Sequence, residues 1–143
     1  MSRLGPIRES TADMNEEDRK VRSAALRRHL VDLADRFIQA VLADSEMGVY
    51  EGVVMTVGPP PYRRLDCDGR ALAYIRVRPR KRAVRVDITG LWVVPPVRHC
   101  RIANAGGAAT FLLRNEQECD ETARVLLETV RRTRRNEAEA LAS

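Results

Sequence analysis

Residues 70–88 constrain this chain more than any other stretch. Arg70–Arg78 and Ala83–Ile88 each alternate apolar and polar residues, and Pro79-Arg80-Lys81-Arg82 stands between them. A period of two means a strand with one face turned to a core. A connection of two or four residues centred between Arg80 and Lys81 pairs Val77 with Val84, Ile75 with Val86, and Ala73 with Ile88. All three pairs fall on one face, as a half-buried antiparallel hairpin requires. An odd-length connection shifts the register by one residue and mixes the faces, so the even register is the expectation. It also sets Arg76 opposite Arg85 and Tyr74 opposite Asp87 on the second face.

A second hairpin precedes this one. Asp68-Gly69 is a favoured two-residue turn and joins strands expected near 62–67 and 70–78. Extending its register places Arg63 opposite Tyr74, so one surface is expected to carry Arg63, Tyr74, Arg76, Arg78, Arg85 and Asp87. The same extension sets Arg64 opposite Ala73 on the apolar side. Either Arg64 lies at an edge or a bulge intervenes.

Around this ribbon the chain reads as helix, strands, helix. Asn15 with Asp18 three positions on is an approximate capping pattern, and Glu16, Glu17 and Asp18 suit a helix N-terminus. Leu26, Leu30, Leu33, Phe37 and Val41 then recur at helical spacing, predicting an amphipathic helix over 16–43. Residues 49–57 are rich in β-branched and aromatic types and predict a strand, closed by the stiff connector Gly58-Pro59-Pro60-Pro61. The strand opening at Ala83 is expected to run to about Val93, before Pro95-Pro96. Residues 97–107 read as loop, and Ala109–Leu113 as the last strand. Asn115 with Glu118 opens a closing helix near 116–135, whose stripe is Cys119, Ala123, Leu126 and Val130. The expected class is α+β: an antiparallel sheet of about five strands with an N-terminal and a C-terminal helix on one face. At 143 residues this is one domain over 15–136, with a flexible arm at 1–14 and a tail at 137–143.

The charge is concentrated. The net charge is +5, yet residues 70–101 alone hold nine basic residues against Asp87. All but two of the basic residues in the chain are arginine, and guanidinium binds phosphate through paired hydrogen bonds and stacks on flat rings. Three readings of the basic face follow. It is a solvated outer sheet face, a surface for an acidic protein partner, or a phosphate-binding surface. In the last, Arg76, Arg78 and Arg85 neutralise a polyanion, Arg80-Lys81-Arg82 project from the turn, and Tyr74 offers a ring. With only six aromatic residues, most of them expected in the core, contacts to the nucleic-acid backbone suit the composition better than several stacked bases.

Other residue groupings carry less. Asp66, Cys67, Asp68, His99, Cys100 and Cys119 lack zinc-ligand spacing, and no metal or other cofactor is expected. His99 beside Cys100 in a basic loop is the one arrangement that hints at an activated thiol. Gly106-Gly107 lacks the phosphate-loop patterns and reads as a turn. Arg131, Arg132, Arg134 and Arg135 read as solvated helix charge or a secondary contribution to anion binding, and His29 as structural or exposed. No apolar run approaches membrane-spanning length, no secretory signal is apparent, and three cysteines form no framework, so a reducing cytoplasm is expected.

The strand Ala73-Tyr74-Ile75-Arg76, the basic turn Arg78–Arg82 and the strand Val84–Ile88 form an ordered set. With Gly106-Gly107, Phe111-Leu112-Leu113 and the helix Glu118–Val130, this set resembles an uncharacterised small α+β domain of bacteria. That domain occurs alone or beside restriction-endonuclease-like modules. The resemblance covers the C-terminal half and implies a DNA-associated or defence-associated setting, with no active site to carry over. The expected function is thus a non-catalytic module that binds nucleic-acid backbone through Arg63, Tyr74, Arg76, Arg78, Arg80, Lys81, Arg82 and Arg85. The alternative is an assembly subunit, homo-oligomeric or docked to a protein partner by its sheet edge or first helix.

Overall fold

A computed structural model describes residues 15–54, 62–102 and 107–143. The 1–14 arm, residues 55–57 of the expected first strand, the 58–61 connector and residues 103–106 lie outside the described residues. Helix α1 spans Glu16–Leu42 and α2 spans Glu116–Ala142. Between them lie β1 (Tyr50–Gly52), β2 (Tyr62–Cys67), β3 (Arg70–Arg78), β4 (Ala83–Ile88), β5 (Arg101–Ile102) and β6 (Ala109–Leu113). The six strands form one antiparallel sheet in the order β1-β2-β3-β4-β6-β5, with both helices on one face. No helix among the described residues is long and apolar enough to cross a membrane.

Both caps form as the sequence specifies. The Asn15 and Asn115 side chains accept from the amides of Asp18 and Glu118, and the Glu118 carboxylate accepts from the Arg114 amide. Leu30, Leu33, Phe37, Ile38 and Val41 of α1 meet Cys119, Ala123, Leu126 and Val130 of α2 over the sheet residues Leu65, Leu72, Ile75, Val86, Phe111 and Leu113. Arg36 bonds Asp120 near the start of α2, and Asp44 meets Arg131 farther along it, so the helices run parallel.

Four boundaries differ from expectation. The first strand, expected over 49–57, spans Tyr50–Gly52, and Val53 and Val54 lie outside it. Helix α2 continues to Ala142, because Glu137-Ala-Glu-Ala-Leu-Ala142 are good helix formers without a breaker, and Arg70 holds Glu137 at 2.9 Å. The strand from Ala83 stops at Ile88. Thr89 then turns away to donate its amide to Leu72 O and its hydroxyl to Ala71 O. A short sixth strand, Arg101–Ile102, lies within the expected 97–107 loop and pairs with β6.

The β3–β4 register is the expected one, including Arg76 opposite Arg85 and Tyr74 opposite Asp87. Its turn has four residues, with Arg82 in the left-handed region at φ 51. The β2–β3 register begins as expected at Cys67–Arg70 and Asp66–Ala71, where Asp68 and Gly69 both have positive φ. It then slips: Leu65 pairs with Ala73, leaving Leu72 as the extra residue of a β-bulge. Leu72 and Ala73 are therefore both turned to the core, each with no exposed surface. Trp92 Nε1 donates to Ala71 O at 2.9 Å, sharing that carbonyl with the Thr89 hydroxyl, so the bulge leaves no stray acceptor there.

Glycine meets different demands at Gly69 and Gly107, both at positive φ. A Cβ on Gly69 meets nothing within 4 Å, whereas one on Gly107 comes within 2.7 Å of the Ile88 carbonyl oxygen. Gly69→Ala is expected to cost about 1–2 kcal/mol, the left-handed penalty alone. Gly107→Ala should cost more, because backbone must move as well. Urea denaturation midpoints of the two variants test this order.

Candidate nucleic-acid interface

The bulge decides which side chains reach the open face of the sheet, opposite the helices. With the slipped register, Arg64 pairs with Tyr74 and Tyr62 with Arg76, so Tyr62 and Arg64 join Tyr74, Arg76, Arg78, Arg85 and Asp87 on that face. Arg63, expected there, instead stands opposite Ile75 on the helix side. Its guanidinium bonds Glu51 at 2.6 and 2.8 Å and reaches Asp35 of α1 at 3.3 Å. The physical reason is burial: without the bulge Arg64 would be driven into the core, and the shift that frees it turns Arg63 inward at the edge. Hydrogen bonding from Arg63 holds the Glu51 carboxyl below its ordinary range, against the opposing effect of partial burial. Arg63 is a structural clamp between β1, β2 and α1.

Four arginines remain on the open face, and two are matched by the protein's own carboxylates. Arg85 Nε meets Asp87 at 2.9 Å, and Asp87 also accepts the Thr110 hydroxyl at 2.6 Å. Arg64 Nε meets the nearly buried Asp66 at 2.8 Å. Beside them a Cβ on Gly52 would press on Asp66 and on the Arg64 guanidinium, so a side chain there would require that pair to shift. Arg76 and Arg78 have no carboxylate within ion-pair distance among the described residues. The Arg76 guanidinium instead lies 5.2 Å from the centre of the Tyr62 ring, and its Nε is buried without a hydrogen-bond partner. Arg80, Lys81 and Arg82 stand exposed at the ribbon tip. The unmatched positive charge is therefore Arg76, Arg78 and the tip, a narrower set than the sequence register suggests.

An open depression of about 540 Å³ lies on this face, bordered by Tyr74, Arg76, Arg78, Arg85, Asp87 and Gly107. Beside it the rings of Tyr62 and Tyr74 meet edge to face, with centres 5.4 Å apart. The turn-derived register does not place Tyr62 and Arg64 on this face. The sequence signal for them is the misfit of Arg64 in that register.

The remaining groups do not converge with this surface. Asp68 bonds Arg134 at 2.9 Å, while Asp66 serves Arg64. His99 meets Glu121 of α2 at 2.9 Å, with Cys100 Sγ 3.0 Å from the same ring nitrogen, Nε2. One nitrogen cannot both take the thiol proton and donate to the carboxylate, so this is no relay. Burial, reinforced by Glu118, pushes the Cys100 thiol up to about 12, the opposite of activation. Among the described residues no group of three or more His, Cys, Asp or Glu side chains is placed to hold a metal ion. Arg131, Arg132 and Arg135 lie against Glu128 of their own helix. No family model, curated protein or solved structure was found to match the chain.

Arg134 also donates to Met47 O and contacts Cys67 Sγ, joining α2 to the β2–β3 turn and the 3-10 turn at Ser45–Met47. Its hydrogen bond lowers the pKa of Asp68. A carboxyl with a lowered folded pKa stabilises the fold above its unfolded value and loses that contribution as pH falls through the folded one. Arg134→Leu should lower the Tm at pH 7, and the gap from wild type should narrow below about pH 4. Part of the gap should persist, because the bond to Met47 O does not titrate. Thermal melts across that range read both effects.

Proposed function

We propose that this chain is a non-catalytic module that binds nucleic acid through its phosphates, using the open face and tip of the β2–β3–β4 ribbon. The observation that carries the reading is the set Arg76, Arg78, Arg80, Lys81 and Arg82: five cations along one hairpin, without carboxylate partners among the described residues. Arg76 and Arg85 stand directly opposite each other, an arrangement that is mildly unfavourable without a counter-charge. Asp87 offsets Arg85, and a bound phosphate would offset Arg76.

A protein-docking role rests on a different observation. From Glu16 to Ala25 every residue of α1 is exposed, and Leu26 is the first to pack against the core, so about three turns project beyond it. Docking by strand addition has less support, because the edge strands β1 and β5 have three and two residues.

The double variant Arg76→Ser/Arg78→Ser should weaken retention on nucleic acid at low salt. It should also flatten the plot of log affinity against log salt by about 0.7–0.9 for each phosphate no longer neutralised. Fluorescence anisotropy over a salt series measures both. Unchanged affinity and slope would remove the reading, and a chain that ignores nucleic acid while sedimenting as a dimer would favour docking through α1.

A further inference from the structure

The six aromatic residues of the chain divide evenly between the two sides of the sheet. Phe37, Phe111 and Trp92 are buried on the helix side. Tyr50, Tyr62 and Tyr74 all lie on the open side, since Tyr50 pairs with Asp66, Tyr62 with Arg76, and Tyr74 with both Arg64 and Asp87. The expectation that most aromatics serve the core therefore fails for every tyrosine. The rings alternate with guanidinium groups: one row across the sheet reads Tyr62, Arg76, Arg85, and the next reads Arg64, Tyr74, Asp87. Tyr62 and Tyr74 remain partly exposed, and Tyr50 is about half exposed.

We infer that this face takes single-stranded rather than duplex nucleic acid, with a base stacked on Tyr74 and the flanking phosphates on Arg76 and Arg78. The inference rests on the nucleic-acid reading above and specifies its ligand. A duplex keeps its base faces inside the stack, so tyrosine rings on a broad sheet gain little from it. Arg85, in the middle of the surface, is already matched by Asp87, so duplex phosphates find no free cation there. A single strand can turn its bases toward the protein, where every base offers a π-face to an aromatic ring. Asp87 Oδ2 accepts from Arg85 alone among the described residues, which leaves a lone pair for the exocyclic amino group of a base such as cytosine. The depression between Tyr74, Arg78, Asp87 and Gly107, about 540 Å³, is open enough to admit a base with its sugar.

Labelled oligonucleotides of roughly 12 nucleotides test this with the full chain: oligo-dC, a duplex of the same length, and an abasic strand with the same phosphates. At about 50 mM salt, oligo-dC should bind more tightly than either of the others. Tyr74→Leu should lose about tenfold on oligo-dC with little change on the duplex, and Tyr74→Phe should retain binding because the ring remains. Melting curves of the variants separate loss of stacking from loss of fold. The abasic comparison needs no variant, so it decides the matter even if Tyr74→Leu does not fold. Equal affinity of the wild-type chain for the abasic strand and oligo-dC overturns the stacking inference. If Arg76→Ser/Arg78→Ser still weakens both ligands in that case, the phosphate-binding reading survives alone. Absence of binding to all three removes both.

Discussion

A single extra residue in β3 sets the character of the open face. The Asp68-Gly69 turn fixes one register at its end of the ribbon, while the alternation of apolar and basic residues farther along demands another. Leu72 absorbs the difference. The cost of burying a guanidinium would be several kcal/mol, far more than a local disruption of the ladder, so the bulge wins. Once it is in place, Arg64, Tyr62 and Tyr74 share a surface, and Arg63 becomes a clamp to Glu51 and Asp35. Thr89 and Trp92 close over the carbonyls of the bulge, and the Arg70 guanidinium lies 4.5 Å from the centre of the Trp92 ring. The segment after β4 is thus tied to the same irregularity.

The open face balances repulsion against recognition. Four guanidinium groups on neighbouring strands repel, and two carboxylates within the same strands, Asp66 and Asp87, relieve half of that repulsion. Ring contact with Tyr62 serves Arg76 in place of a carboxylate. The outcome is a surface that tolerates its own charge and still holds unmatched cations at Arg76, Arg78 and the hairpin tip.

Much of the fold was legible because it rests on local rules. The Asn15 and Asn115 caps, the apolar stripe of α1 and the β3–β4 register all follow from residue type and spacing, and all recur in the structure. What was not legible depends on partners distant in sequence. Strand β4 stops at Ile88 because Thr89 finds Ala71 and Leu72, and α2 continues past residue 135, where Arg70 meets Glu137. The position of the bulge is a tertiary choice as well; only its necessity could be read, from the misplaced Arg64. The candidate site was legible in the same measure. Tyr74, Arg76, Arg78 and Arg85 fall where the hairpin register places them, Arg63 does not, and the self-pairing of Arg85 with Asp87 needed coordinates.

The most direct measurement is a titration of the backbone amide resonances of the whole chain with a short single-stranded oligonucleotide. Shifts should concentrate at Tyr62–Arg64, Tyr74–Arg82 and Arg85–Asp87, while the facing helices stay quiet. Shifts confined to α1 or α2, or none at saturating oligonucleotide, would contradict the assignment of the open sheet face as the binding surface.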